Sequence, residues 1–221
     1  MRKDDCLLAF QEVTGLSKKF HLEEINFQLE AGYILGIAGK NGAGKTTLLH
    51  YILDNQIKYK GAIYLQGKNI CENHVNCLDE IGFVSDENQF FSEYTAMQNA
   101  RLLGALYTHW EEEKFQLSME EMKLSAGKKI GAMSRGECFK FQMAFAIAHH
   151  AKLFLLDEVT GGMDPIFRRD FFKLLREQIC NKEASVILTT HIQEEIELKM
   201  DYVAILEGGK LQSFGEGGAW K

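Results

Sequence analysis

Residues Tyr33–Leu53 read YILGIAGKNGAGKTTLLHYIL, and the pattern of this stretch decides the fold. YILGIA is apolar throughout, as a strand buried on both faces would be. TTLLHYIL carries helical character. Between them, GKNGAGKTT runs from Gly39 to Thr47. A strand, a glycine-rich turn and a helix in that order form the context that a phosphate loop requires. Glycines let backbone N–H groups turn inward around an anion, and the helix N-terminus adds partial positive charge. Gly39, Lys40, Asn41, Gly42, Ala43, Gly44, Lys45, Thr46 and Thr47 are therefore the candidate phosphate-binding run. Lys45 can reach terminal phosphates as a point charge, and the Thr46 hydroxyl can ligate magnesium.

A phosphate loop needs a carboxylate to hold magnesium, and ligands gather at the carboxyl ends of parallel strands. KLFLLDE reads as a buried strand that ends on Asp157 and Glu158. Asp157 is the metal candidate. Glu158 can polarise a water for attack on the terminal phosphate. Taken alone, such an acidic pair would read equally well as a helix cap or a salt-bridge partner.

Further out, INFQLE alternates strictly, with Ile25, Phe27 and Leu29 on one side and Asn26, Gln28 and Glu30 on the other. LLAFQEV, GAIYLQGKN and SVILTTH give further strand signals, and YVAILEGGKLQSFG reads as a hairpin turning at Glu207, Gly208 and Gly209. Thr95 and Gln98 form a capping box before NARLLGALY. WEEEKF continues with helical character and a solvated acidic face. Asp164 followed by Pro165 is an N-cap with proline at the first helical position, opening IFRRDFFKLLREQI. IQEEIELKM reads as a further helix. Buried strands alternating with helices place the chain in the α/β class with a largely parallel sheet. The helical stretch from about 90 to 151 interrupts the alternation, so it reads as an inserted α-helical subdomain in one domain spanning 1–221.

Within that stretch MSRGECFKF, Met133 to Phe141, is ambiguous as a local pattern. Ser134 can cap a helix and Glu137, three residues on, can close a capping box. Phe141, Phe145 and Ala148 then fall on one apolar stripe, expected in the core.

The chain has 221 residues, 46% of them hydrophobic and 25% charged, which suits one compact unit. A net charge of −6 argues against a general nucleic-acid partner, because phosphate backbones attract basic faces. Five cysteines without a paired CxxC pattern read as reduced cytosolic thiols. Cys71, His74 and Cys77 cluster in sequence, but their spacing fits no common zinc arrangement, and the cluster is read as incidental. No apolar run approaches the roughly 20 residues that cross a bilayer. MRKDDCLLAF carries acids before a short apolar run, so no signal peptide and a soluble chain are expected.

GKNGAGKTT, MSRGE, LLDEVTGGMD and TTH occur in the order and approximate spacing of the ATP-binding subunit of ABC transporters, and the chain resembles that family over nearly its whole length. Within the family, the YTHWEEEKF and AHHAKLFLLDE runs look most like subunits paired with ABC-2-type permeases of Gram-positive bacteria, which are exporters. The resemblance implies a P-loop NTPase core with an N-terminal antiparallel β subdomain. It implies ATP and Mg2+ as ligands, a membrane permease as partner, and a cytoplasmic location on the inner face of the membrane.

It further implies that two subunits, identical or different, pack head to tail. MSRGE stands where the family has Leu-Ser-Gly-Gly-Gln, so that Ser134, Arg135, Gly136 and Glu137 of one copy would cap the ATP on the other copy's phosphate loop. Arg135 replaces a glycine and Glu137 a glutamine. His191 in TTH matches the switch histidine that touches the γ-phosphate and helps position water. Asp164 matches the loop that crosses between subunits, with Gly161 and Gly162 giving it freedom. Asp86 takes the position of a glutamine that usually contacts magnesium, with Gln89 three residues on, and is the expected third metal ligand beside Thr46 and Asp157. Leu16 aligns with the adenine-stacking aromatic, with Phe20 the nearest alternative. Alternatives are a non-transport ATPase, a weakly hydrolysing regulatory module and a small-molecule kinase. The last would leave MSRGE and TTH unexplained.

Overall fold

A computed structural model describes residues 6–16, 21–87, 89–161, 163–192, 195–196 and 199–217. Ten strands and six α-helices alternate along these residues. They are β1 (Cys6–Gly15), β2 (Ile25–Glu30), β3 (Ile34–Ala38), α1 (Lys45–Leu53), β4 (Tyr59–Leu65), β5 (Lys68–Asn69), α2 (His74–Asp79) and β6 (Ile81–Ser85). There follow α3 (Ala96–Gly104), α4 (Glu112–Glu121), α5 (Arg135–Ala148), β7 (Leu153–Asp157), α6 (Pro165–Ile179), β8 (Ser185–Thr190), β9 (Tyr202–Glu207) and β10 (Lys210–Glu216).

The strands form two sheets. One has the order β10-β9-β3-β8-β7-β6, in which β3, β6, β7, β8 and β9 pair in parallel and β10 closes a hairpin with β9. The other has the order β2-β1-β4-β5 and is antiparallel. The α/β class, the largely parallel sheet and the antiparallel N-terminal sheet are all as expected. β3 and β8 are buried at every residue, the pattern of central parallel strands covered on both faces. β2 alternates as read, with Ile25, Phe27 and Leu29 buried and Asn26 and Gln28 exposed.

Three apolar clusters follow from this layering. The first joins the antiparallel sheet to α1 and one face of the parallel sheet, through Phe10, Phe27, Leu48, Ile52, Leu35 and Leu155. A second packs α5 and α6 on the opposite face, through Phe139, Met143, Phe171, Leu175, Leu156 and Leu188. The third lies among α3, α4 and α5, and holds Phe115, Met119, Phe141, Phe145 and Ala148. α5 thus contributes Phe139 and Met143 to the sheet core and Phe141 and Phe145 to the helical layer. A helix with two apolar sides is a shared wall between layers rather than a surface helix. The helical stretch between β6 and β7 is held to the sheet through that wall. Both expected capping boxes form, at Thr95 with Gln98 and at Ser134 with Glu137. Of the helix expected over IQEEIELKM, Glu195 and Ile196 are helical, and residues 193, 194, 197 and 198 lie outside the described residues.

Candidate phosphate-binding site

The phosphate loop leaves β3 at Ala38 and re-enters regular structure at Lys45, the first residue of α1. Gly44, at the N-cap, has φ +107°, a left-handed conformation open to glycine at little cost. Among the described residues no side chain caps the first turn of α1 at its N-cap. A Cβ on Gly39 would run into the carbonyl of Leu206. Gly39 is therefore required by the close approach of the β9 end, which also braces the loop through a 3.0 Å hydrogen bond from Gly209 N–H to the Ala43 carbonyl.

Lys45 is only 4% exposed. Its Nζ donates to the Gly39 carbonyl at 2.9 Å and the Lys40 carbonyl at 3.3 Å, and it pairs with Glu158 Oε1 at 3.1 Å. One turn of the loop thus curls around its own lysine, and the two charged candidates of the sequence reading neutralise each other.

Asp157 ends β7, and its Oδ1 accepts from Thr46 Oγ1 at 3.2 Å and from Thr189 Oγ1 at 2.6 Å. Thr189 Oγ1 in turn accepts from the Glu158 N–H at 2.9 Å. Register places Thr189 directly beside Asp157 on the neighbouring strand. Glu158 has φ +50°, a left-handed backbone that a non-glycine residue adopts at a cost of about 1–3 kcal/mol and keeps only when its surroundings over-determine it. The bond from its N–H to Thr189 is one such restraint.

A cavity of about 510 Å³ opens in front of these groups, with Thr46, Asp86, Arg135, Asp157, Glu158 and His191 among its lining residues. Residues from five separate places in the sequence converge there. His191 is exposed and follows directly on β8. Asp86 follows β6, and its Oδ1 accepts from Arg135 Nε at 2.7 Å. Two of the positions that depart from the resembled pattern, Asp86 and Arg135, are therefore partners of each other. Arg135 also lies over the Phe139 ring at 5.3 Å.

At the start of α5, Ser134 Oγ accepts from the Glu137 N–H at 3.3 Å, and Glu137 Oε2 accepts from the Ser134 N–H at 2.8 Å. Lys128 Nζ grips both Glu137 oxygens, at 2.9 and 2.8 Å. That ion pair, with the Ser134 contacts, pushes the Glu137 pKa down to about 2. The Glu137 charge, which would repel a phosphate brought to this turn, is thus compensated within the chain. A Cβ on Gly136 would meet the Phe167 ring at the ordinary contact distance of 3.5 Å, so nothing among the described residues requires glycine there. Asp164 caps α6, accepting from the N–H groups of Ile166 and Phe167 at 3.0 Å each. Leu16 is 58% exposed, and Phe20 and Gly162 lie outside the described residues.

Several supporting residues were not legible beforehand. Gln142, buried on α5, clamps the Ser85 backbone by accepting from its N–H and donating to its carbonyl, both at 3.0 Å, and so fixes where Asp86 emerges. Thr189 is another. Its sequence signal is a pair of threonines closing the strand SVILTT. Cys71 and Cys77 do not converge with His74: Cys71 Sγ contacts the Tyr59 hydroxyl at 3.0 Å, Cys77 is in the first core, and His74 Nε2 contacts the Leu53 carbonyl at 3.2 Å.

The oxygen set at the mouth of the loop, a threonine hydroxyl beside a strand-end carboxylate, is the hard donor set that suits magnesium. Among the described residues no helix is long and apolar enough to cross a membrane.

Residues 22–161 match the family described as ABC transporter. The chain is 28% identical over 190 residues to the ABC transporter ATP-binding protein YtrB of Bacillus subtilis (strain 168), covering 86% of this chain and 65% of that protein. It is 29% identical over 208 residues to the bacitracin transport ATP-binding protein BcrA of Bacillus licheniformis, covering 90% of this chain and 67% of that one. The chain thus spans about two thirds of the length of these relatives. A solved ATP-binding subunit of an ABC transporter superposes with a TM-score of 0.86 at 24% identity, over 95% of this chain and 90% of that one, a likeness of fold.

Proposed function

The chain belongs to the ABC transporter family, and from that premise we propose that it is an ATP-binding, ATP-hydrolysing subunit that drives a separate membrane permease. The observation that carries this reading is the convergence of Thr46, Asp157, Glu158 and His191 on one cavity in front of a glycine-rich loop.

Phosphoryl transfer needs little covalent help, so positioning and charge stabilisation do most of the work. Backbone N–H groups of the Gly39–Thr47 run and the uncapped start of α1 would hold the β- and γ-phosphates. Lys45 would exchange its contacts with Gly39, Lys40 and Glu158 for phosphate oxygens. That exchange separates Lys45 from Glu158 and frees the carboxylate to polarise a water, so nucleotide entry itself would arm the base. His191 would lie against the γ-phosphate and orient that water. Magnesium, held by Thr46 and Asp157, would supply charge neutralisation of the phosphates. Asp86 would join it through the carboxylate oxygen that Arg135 leaves open, or with both oxygens on releasing Arg135.

Ser134, Arg135, Gly136 and Glu137 would meet the nucleotide on a second copy or a homologous subunit. Gly136, for which the described residues have no steric need, would allow that approach, and Asp164 would cross at the same seam. The chain would act as one domain, its helices between β6 and β7 forming a subdomain. It would lie on the cytoplasmic face of the membrane through the permease and act in export, with no nucleic-acid partner.

Steady-state ATP hydrolysis of the chain alone and co-purified with its membrane subunit tests this. Turnover that requires Glu158 and changes on adding the membrane subunit is expected. ATP hydrolysis absent in both preparations would overturn it.

A further inference from the structure

Glu195 is 1% exposed, a carboxylate withdrawn from water. A buried charge persists only when paired and hydrogen-bonded. Its Oε2 accepts from Thr160 Oγ1 at 2.9 Å and from Thr190 Oγ1 at 2.6 Å. Its Oε1 faces Arg168 Nε at 3.3 Å, an ion contact out of hydrogen-bond alignment. Arg168, on the first turns of α6, also donates to the Met163 carbonyl at 3.2 Å.

Each of these partners lies within four residues of a residue of the proposed site. Thr160 is two residues beyond Glu158, in the loop whose turn is closed by Gly161 N–H to the Glu158 carbonyl at 3.3 Å. Thr190 precedes His191 directly. Its hydroxyl does double duty, donating to Glu195 and accepting from the Ile192 N–H at 3.1 Å, so it brackets His191 from both sides. Arg168 belongs to the helix capped by Asp164. The left-handed backbone at Glu158 needs restraint on both sides. Thr189 supplies it before the turn, and the buried Thr160 hydroxyl supplies it after.

We propose that Glu195 is a positioning residue for ATP hydrolysis: by holding the Thr160 and Thr190 hydroxyls on one oxygen, it fixes the Glu158 and His191 segments relative to each other. The inference rests on the roles given above to Glu158 and His191. It requires no contact between Glu195 and nucleotide. Its loss therefore acts on turnover and leaves ground-state binding alone, the signature of geometry lost at the reacting atoms.

The test uses the full chain and compares wild type, Glu195→Gln and Glu195→Leu by steady-state ATP hydrolysis, by ATP affinity and by thermal denaturation. Glutamine keeps one oxygen for both threonines, whereas leucine keeps none. Glu195→Leu is expected to lose at least tenfold in kcat with KM and ATP affinity within twofold, and Glu195→Gln to recover most of that loss. If the leucine variant does not fold, Thr190→Val against Thr190→Ser carries the test, with valine alone lowering kcat about fivefold at constant KM. A folded Glu195→Leu or Thr190→Val protein whose kcat stays within twofold of wild type would overturn the inference. So would a kcat loss matched by weakened ATP binding. Wild-type protein without ATPase activity both alone and with its membrane subunit would instead overturn the function proposed above.

Discussion

Replacing Thr189 by valine should damage the site with little change of shape. The side chain is fully buried, and the branching is the same. What disappears is one oxygen with two duties: donor to Asp157 at 2.6 Å and acceptor from the Glu158 N–H at 2.9 Å. A hydrogen bond to a charged group contributes about 1.5–3 kcal/mol, and a buried donor left unpaired costs about 1–3 kcal/mol. Glu158 is only half-buried, and water can reach part of its backbone, so the net loss is about 2–4 kcal/mol. For a chain of this size each kcal/mol moves the melting temperature by about 2–4 °C, giving a drop of roughly 4–16 °C. Among the described residues Asp157 would keep Thr46 as its side-chain partner, so half-saturating Mg2+ for ATP hydrolysis should rise. Thermal denaturation and a Mg2+ titration of activity read the two effects, with Thr189→Ser as the control that restores the hydroxyl. A valine variant melting within 1 °C of wild type with an unchanged Mg2+ response would refute the reasoning. A serine variant as impaired as valine would do the same.

Acid should act through two groups. His149 is buried against Tyr107 at 4.1 Å, and burial pushes its pKa from the ordinary 6.5 down to about 4. Below pH 6.5 the unfolded chain takes a proton that the folded chain refuses, so stability is full above 6.5 and falls by about 3 kcal/mol as the pH approaches 4. His149→Phe should flatten that window in urea denaturation. Glu137 acts lower, its contribution present above its ordinary value of 4.5 and lost toward about 2. Because its side chain is 31% exposed, Glu137→Gln should cost only about 1 kcal/mol at pH 7. Asp86 and Arg135 are 59% and 45% exposed, so a double-mutant cycle should return a coupling of only about 0.2–1 kcal/mol, shrinking with salt. Arg135→Ala should lower half-saturating Mg2+ and Asp86→Ala should raise it. Unchanged values for both would confine Asp86 to the ion pair.

Features closed within a few residues were legible in the sequence. The apolar YILGIA run, the glycine loop and the start of TTLLHYIL determine their own conformations. The Thr95–Gln98 and Ser134–Glu137 boxes need only a three-residue spacing. Asp164 with Pro165 likewise capped α6 as read. What escaped were pairings made by the fold. Asp86 and Arg135 are 49 residues apart, and Glu195 lies 35 residues from Thr160. Such pairs leave no periodicity, since nothing in either local stretch selects its partner. Lys45 and Glu158 were each recognised, but their mutual ion pair follows only from the adjacency of the β3 and β7 ends across β8. Thr189 and Thr190 show the same limit. Successive strand residues face opposite sides of the sheet, so one hydroxyl serves Asp157 and the other Glu195.

The most direct measurement is a structure of the Glu158→Gln variant saturated with MgATP. The γ-phosphate should lie within hydrogen-bond distance of Lys45 Nζ in the Gly39–Thr47 loop, with Ser134 of a second subunit on its far side. ATP held elsewhere, or Lys45 still turned to the Gly39 and Lys40 carbonyls with Ser134 remote from nucleotide, would contradict it.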